Sequence, residues 1–263
     1  MEDRSNPVYE QCLVVEQSEL MPDIFSLWLK TDRIAAMAAP GQFVNVYCRD
    51  TGRLLPRPVS LCEILPGQQM IRLVYRAGGS RTGTREFTRL RPSDTVFLSG
   101  PVGNGFPVDR TEGGRLMLIG GGIGIPPLLQ AGRSHLGSTV FVLGYRNTTF
   151  LTKEFSETGE VFLATEDGCA GTAGTVLDAV RAHQLKADAV CACGPLPMLK
   201  AVSDWAGEED IPCWISLEER MACGIGACLG CVCRTTKEHP HFHTPSARVC
   251  REGPVFLSTE VVL

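Results

Sequence analysis

The spacing of apolar and polar positions changes once along this chain. From residue 8 to about 110, short apolar or alternating runs recur: VYEQCLVVEQ, IFSLWLK, QFVNVYC, MIRLVYR and TVFLSG. Pro22, Pro40-Gly41, Pro66-Gly67 and Pro92 punctuate them. Short strands with regular turn signals predict an antiparallel barrel or sandwich. The one stretch here with a helical pattern is Arg81–Leu90. Near Arg115 the rhythm changes. LMLIG is a strand-length run, and GGIGIPPLLQAGRSH continues it as a glycine turn and a helix, with Pro126 or Pro127 in the first helical turn. TVFVLGYR, EVFLATED, AVCACG and CWISLEE read as further strands, and GTVLDAVRAHQL and PLPMLKAVSDWAG as helices. Strands alternating with helices predict a parallel sheet covered on both faces. The fold class expected is β plus α/β: a barrel domain over 1–110, an α/β domain over 111–215 and a small C-terminal domain over 216–263.

Composition narrows the class. The chain has 263 residues, 44% hydrophobic and 21% charged, ordinary for a globular protein. A net charge of -4 with no lysine/arginine run argues against a nucleic-acid surface. The opening MEDRSNPVYE is polar and acidic, unlike a signal peptide, and no apolar run reaches membrane-spanning length. Twelve cysteines without a secretion signal point to a reducing compartment and a metal centre. A cytoplasmic protein is expected.

The cysteines are not evenly spread. Within EERMACGIGACLGCVC, Cys223, Cys228 and Cys231 follow the C-x4-C-x2-C spacing, and Cys250 returns after a polar loop. That is the spacing of plant-type 2Fe–2S ligation, which needs four thiolates converging on two irons. Gly224, Gly226 and Gly230 lie between the ligands, where a loop wrapped round a cluster needs left-handed backbone and N–H groups aimed at sulfur. A four-cysteine zinc site usually shows two C-x2-C pairs instead. Reduced buried thiols are the other alternative. Cys233 has no place in the pattern and reads as packing. His239, His241 and His243 alternate in a proline-containing loop beside it. With four cysteines at hand they are not needed as ligands.

The barrel region carries a second set of residues. Arg57-Pro58-Val59-Ser60 reads as a strand end. Val74-Tyr75-Arg76 closes the next strand, and Gly83-Thr84 follows at a helix start. A helix N-terminus with a small residue and a hydroxyl suits phosphate. Arg57 would pair with a pyrophosphate, and Tyr75 would pack on a flat ring. Together with Gly100-Pro101-Val102-Gly103-Asn104-Gly105-Phe106, these motifs resemble the flavin domain of the ferredoxin reductase superfamily. The resemblance implies FAD held at Arg57, Pro58, Val59, Ser60, Val74, Tyr75, Arg76, Gly83 and Thr84.

Gly120-Gly121-Gly122-Ile123-Gly124 fails the G-x-G-x-x-G test of a Rossmann turn. It is similar to the glycine turn of the same superfamily's pyridine-nucleotide domain. By that resemblance Gly120, Gly121, Gly122 and Gly124 approach NAD. Cys193-Gly194-Pro195 then lies beside the nicotinamide, with Cys193 as the catalytic contact. Both segments also read as tight strand–helix turns that need glycine. Thr165-Glu166-Asp167-Gly168 lines the same crevice or forms a solvated turn. Arg146 alone does not separate NAD from NADP.

The order of flavin barrel, nucleotide domain and C-terminal 2Fe–2S segment narrows the match. The whole chain resembles the electron-transfer subunits of NAD-linked, class 1B dihydroorotate dehydrogenases, most closely in ERMACGIGACLGCVC and VCREGPVF. That family implies a partner, an FMN-containing catalytic subunit that oxidises dihydroorotate for pyrimidine synthesis, in a heterotetramer of two of each chain. A flavin belongs between a two-electron nicotinamide and a one-electron cluster. No pocket with its own general base for an organic substrate is evident. Two alternatives share some of these features: a hydrogenase or ferredoxin reductase subunit of the same domain order, and a non-enzymatic redox sensor.

Overall fold

The computed structural model describes residues 6–79, 82–111, 113–237 and 244–263. His239, His241 and His243 lie outside them, as does Arg81.

Among the described residues, six strands close into an antiparallel barrel: β1 (Val8–Met21), β2 (Ile24–Lys30), β3 (Phe43–Val46), β4 (Arg57–Leu65), β5 (Met70–Arg76) and β6 (Thr95–Val102), in the order β1-β2-β5-β4-β3-β6. Period-two patterning builds it. Val8, Cys12 and Val14 of β1 turn inward against Leu27 and Leu29 of β2, Leu61 of β4, Ile71 and Leu73 of β5 and Leu98 of β6, all buried. Two short helices interrupt the strands, α1 (Ile34–Met37) and α2 (Gly83–Phe87). The helical pattern from Arg81 to Leu90 thus yields a single turn and a half. Thr82 caps it by accepting the Arg85 N–H. One expectation is corrected here. Arg57-Pro58-Val59-Ser60 opens β4 and does not end a strand. Pro58 is tolerated because the pairing of β4 with β5 starts only at Leu61, so at Pro58 the strand has a single neighbour, β3, with Asn45 opposite.

The second layer is a sheet in the order β10-β9-β8-β7-β11-β12, extended at the β12 edge by β15 (Val255–Leu257) from the C-terminal segment. Its strands are β7 (Arg115–Gly121), β8 (Ser138–Tyr145), β9 (Glu160–Thr165), β10 (Thr172–Ala173), β11 (Ala189–Cys193) and β12 (Cys213–Ser216). All of these run parallel to their neighbours. β7, β8 and β11 are almost wholly buried, as strands covered on both faces must be. The crossovers are α3 (Pro127–Ser134), α4 (Thr152–Ser156), α5 (Val176–Ala182) and α6 (Leu196–Glu208). The order steps outward from β7 on one side and restarts at β11 on the other. The C-terminal ends of β7 and β11 therefore flank the crevice where such sheets bind ligands.

The C-terminal segment folds back on both layers. β13 (Val232–Arg234) and β14 (Ser246–Arg248) form a two-stranded ladder. β15 (Val255–Leu257) then joins β12 antiparallel at the sheet edge. No period in the sequence announces that strand. Asn104, from the glycine-rich stretch after β6, holds it. Its side chain donates to the carbonyls of Glu252 and Val255 and accepts the Val255 N–H at 2.9 Å.

A buried ion network clamps barrel to sheet. Glu63 of β4 meets Arg72 of β5 at 2.6 Å and also pairs with Arg133 of α3. Arg72 reaches Glu154 of α4 at 3.3 Å, donates to Ser26 and lies over the Trp28 ring. The Ile64 N–H donates to Gln130 of α3 at 2.8 Å.

Candidate functional site

Between barrel and sheet lies a cavity of about 260 Å3. Pro58, Val59 and Ser60 of β4, Val74, Tyr75 and Arg76 of β5, and Thr84 of α2 line its barrel side. Ile123 and Cys193 face it from the sheet, and Phe43, Glu218 and Met221 complete the wall. Arg57 and Gly83 sit together behind it. A Cβ on Gly83 would fall 2.7 Å from Arg57 Nε, so the missing side chain lets the guanidinium lie against the start of α2. That cradle suits a pyrophosphate. Tyr75 differs from the expectation of an open stacking platform. Its ring stacks on Phe25, meets Phe87 edge-on, and its hydroxyl donates to Gln17. At 3% exposure it offers the cavity little more than its rim. Thr84 accepts the Gly78 N–H, shaping the loop before α2.

The two glycine-bearing turns of the sheet interlock. Gly124 packs so closely on the Cys193–Gly194 backbone that a Cβ would lie 2.5 Å from the Cys193 carbonyl. Gly120 pairs with Cys193 in register, and Gly121 lies under Pro195 and Met198. Gly122 faces open space toward Arg76. These turns floor a second crevice of about 520 Å3. Gly121, Gly122, Gly144, Arg146, Glu166, Thr175 and Pro195 line it, all at or just beyond the C-terminal ends of strands. Arg146 and Glu166 pair across it at 3.8 Å. The rest of the Thr165–Gly168 turn serves its own loop, with the Thr165 hydroxyl bound to the Ala170 carbonyl. Arg76 lines both cavity and crevice.

Cys193 is buried, and burial, reinforced by the Glu218 charge, pushes its thiol up to about 12. A neutral sulfur therefore faces the cavity. Glu218 was not singled out by any motif. It follows β12, is open to the cavity yet ringed by protein, and that desolvation raises its carboxyl against the opposing pull of Arg76. Its only signal in the sequence is a carboxylate two residues past the last residue of a sheet strand.

The cysteine segment is built from the ladder outward. Val232 pairs with Arg248, which sets Cys231 and Cys250 side by side just beyond the paired residues. The Cys250 N–H points at Cys231 Sγ at 3.4 Å. Cys223 Sγ receives N–H groups from Ile225, Ala227 and Cys228 at 3.3–3.5 Å, and Cys228 Sγ receives that of Gly230 at 3.4 Å. Burial raises the Cys223 thiol, but these donors outweigh it and bring it down to about 6. Arg248 braces the loop by donating to the Gly226 carbonyl. Backbone donors aimed at sulfur are what a thiolate-held cluster needs. Among the described residues no three His, Cys, Asp or Glu side chains are grouped to hold a single ion. Cys233 lies in β13, and burial pushes its thiol up to about 11.

Asn45 of β3 ties this loop to the barrel. It is fully buried and donates to the Gly224 carbonyl at 3.3 Å and to Ser99 at 3.2 Å. Gly224 has φ +64, and a Cβ there would lie 2.3 Å from Asn45 Oδ1. Phe43, two residues before Asn45, lines the cavity and packs in one apolar cluster with Cys231 and Cys250; Met221 does the same. The cavity and the cysteine segment thus share a wall.

Residues 218–262 match the family model described as the iron-sulfur cluster binding domain of dihydroorotate dehydrogenase B. The chain is 41% identical over 261 residues to the dihydroorotate dehydrogenase B (NAD(+)) electron transfer subunit of Geobacillus sp. (strain WCH70), covering 97% of this chain and 98% of that one. It is 40% identical to the subunit of the same name from Bacillus caldolyticus, with the same coverage. In fold it is similar to a solved NADH-dependent reduced ferredoxin-NADP oxidoreductase chain, with a TM-score of 0.83 at 24% identity, covering 100% of this chain and 91% of that one. Likeness at this level over nearly its whole length means that the chain belongs to the family of electron transfer subunits of NAD(+)-linked dihydroorotate dehydrogenase B.

Proposed function

We propose that this chain carries electrons from a 2Fe–2S cluster held by Cys223, Cys228, Cys231 and Cys250, by way of FAD, to NAD. The observation that carries this reading is the shared wall: Phe43 and Met221 line the cavity and belong to the apolar cluster that holds Cys231 and Cys250, while Cys193 and Ile123 bring the nucleotide turns to the cavity's other side. Bound FAD would supply the exchange between two-electron hydride chemistry and one-electron transfer. The protein's part is placement. Arg57 and the start of α2 would hold the pyrophosphate, and Pro58, Val59, Ser60, Val74, Tyr75, Arg76 and Thr84 would frame the ring system. Gly121, Gly122 and Pro195 would give the nicotinamide close backbone approach, while Gly120, Gly124 and Gly194 would serve by letting the two turns interlock beneath it. Cys193, kept neutral by burial, would pack against the bound rings from the cavity wall without taking a proton.

The electron donor in this reading is an FMN-containing catalytic subunit that oxidises dihydroorotate, assembled with this chain as a cytoplasmic heterotetramer of two of each. The relatives' name, an electron transfer subunit, supports a catalytic partner. Among the described residues no helix is long and apolar enough to cross a membrane. Oxidising dihydroorotate removes a carbon-bound proton and needs a placed base. Cys193 is held neutral, and Glu218 faces the cavity assigned to FAD. The test is direct. The isolated chain, containing FAD and iron, should reduce ferricyanide with NADH and be inert toward dihydroorotate. Dihydroorotate oxidation by the chain alone, or no NADH–ferricyanide activity, would overturn the proposal.

A further inference from the structure

Two charged side chains stand where the crevice crosses the ends of β8 and β9. These strands are neighbours, with Tyr145 opposite Thr165. Arg146 and Glu166 come next in each strand, so the register sets them side by side, paired at 3.8 Å. The backbone beneath them is fixed. The Glu166 N–H donates to the Tyr145 carbonyl at 3.3 Å, and the Tyr145 hydroxyl donates to the Phe150 carbonyl. Thr165 is fully buried, and its hydroxyl accepts the Ala170 N–H. Among the described residues lining the crevice, Arg76, Arg146 and Glu166 are the charged ones. The side chains of the pair are 86% and 72% exposed, and an ion pair so open to water contributes little to folding. What the pair does is decided by what it presents to a nucleotide.

The sheet order says which part of a nucleotide that is. β11 is followed across the sheet by β7, β8 and β9. Gly194 and Pro195 follow β11, Gly122 follows β7, Arg146 follows β8 and Glu166 follows β9. Neighbouring strands lie about 4.8 Å apart, so three spacings put Glu166 about 14 Å along the sheet from the Cys193 turn. A dinucleotide laid along these strand ends, with its nicotinamide at the Cys193 turn, has its pyrophosphate over Gly121 and Gly122. Its adenosine ribose then falls at Arg146 and Glu166. Two chemistries compete there. An arginine beside this ribose accommodates a 2′-phosphate, whereas a carboxylate accepts from a free 2′-hydroxyl. Arg146 by itself would favour NADP. Paired, the carboxylate offsets the guanidinium and repels the further negative charge of a phosphate.

We propose that Glu166 is the residue that selects NAD over NADP: its carboxylate accepts the adenosine 2′-hydroxyl and, by holding Arg146, refuses a 2′-phosphate. The inference rests on the nucleotide crevice assigned above. Asp167, the next carboxylate in the same turn, has a different task. It accepts the Cys169 N–H at 3.1 Å within its own loop, and it does not line the crevice. Selection is therefore a matter of one position and not of an acidic turn as a whole.

The experiment uses the full chain with FAD and cluster in place. Binding of ADP-ribose and of 2′-phospho-ADP-ribose is measured by calorimetry, which reads the adenosine end without any redox step. The ratio of kcat/KM for NADPH to that for NADH, with ferricyanide as acceptor, is read beside it. Wild type should bind ADP-ribose more tightly than its 2′-phosphate. Glu166→Gln frees Arg146 for a charge-assisted contact, so it should bind the 2′-phosphate at least about tenfold more tightly than wild type does and move the kcat/KM ratio toward NADPH by a similar factor. Adding Arg146→Ala to Glu166→Gln should abolish that gain. Asp167→Asn makes the same change of charge one residue along and should keep the wild-type selectivity. Unchanged 2′-phosphate binding in Glu166→Gln overturns the proposal. So does an equal gain in Asp167→Asn, since the effect is then one of net charge. A wild-type chain that binds neither ADP-ribose nor NADH overturns the crevice assignment itself, and this inference with it.

Discussion

Replacing Arg72 by methionine tests whether the ion clamp fixes the barrel against the sheet. The guanidinium is 8% exposed and the Glu63 carboxylate 6%, so both charges are held out of water. Removing one partner of such a pair costs about 3–5 kcal/mol, because the other charge stays buried and uncompensated. Glu63 keeps Arg133 when Arg72 is lost, but Arg133 is 32% exposed and replaces only part of the interaction. The expected loss is therefore near the lower end, about 3 kcal/mol. For a chain of this size that is a fall of about 6–12 °C in the thermal midpoint. Glu63→Met/Arg72→Met removes both charges and should lose less than Arg72→Met alone, since no isolated carboxylate remains. The assay is thermal unfolding of the flavin-containing chain, followed by flavin release and by tryptophan emission. Trp28 lies 5.5 Å beneath the guanidinium carbon, so it reports on the clamp locally. The NADH–ferricyanide rate should fall with the clamp, because the clamped elements carry the two halves of the cavity. An unchanged midpoint in Arg72→Met, or a double variant that loses the sum of two single losses, would refute the reasoning.

Serine at Cys223, Cys228, Cys231 or Cys250 should abolish the visible iron–sulfur absorbance and lower iron per chain, whereas Cys233→Ser should keep both; a normal cluster in Cys250→Ser contradicts the ligand set. Arg57→Ala removes a charge-assisted phosphate contact of about 1.5–3 kcal/mol, so FAD should dissociate about ten- to a hundredfold more readily, and full FAD retention on a desalting column contradicts that role. Glu218 predicts a pH effect. Its carboxyl is raised above 4.5 by desolvation, so the folded chain holds that proton more tightly than the unfolded chain. The group costs nothing below the unfolded value, and its cost grows as pH rises through the raised one. In the flavin-free chain Glu218→Gln should therefore gain stability above that window and match wild type below it; parallel stability–pH curves would rule this out.

Most of the architecture is written in periodicity. β1 alternates and β7 and β8 are continuous apolar runs, because one is half-buried and the others are covered on both faces. What periodicity cannot show is long-range return. β15 is three residues held by Asn104 and by pairing to β12, and neither partner is near it in sequence. Leu54 and Leu55, just before Arg57–Ser60, look like the body of a strand, yet both are exposed and the strand starts at Arg57. At the site, spacing pointed to the cysteines, and the family resemblance to Pro58–Ser60, Val74–Arg76 and Thr84 of the cavity wall. Neither could point to Asn45 or Glu218, whose position depends on how the barrel, the sheet and the cysteine loop meet. Tyr75 shows the reverse limit. A tyrosine ending a strand looks like a stacking platform until Phe25 and Phe87 are seen to occupy its ring.

The central claim is that electrons pass through this chain in one order, from cluster to FAD to NAD. The most direct measurement is dihydroorotate-dependent NAD reduction in the complex reconstituted with the FMN-bearing subunit, comparing wild type with Cys228→Ser. NADH–ferricyanide activity is read on the same samples. Cys228→Ser should lose dihydroorotate-dependent NAD reduction while retaining the ferricyanide activity that draws on FAD directly. Dihydroorotate-dependent NAD reduction at the wild-type rate without the cluster would contradict it.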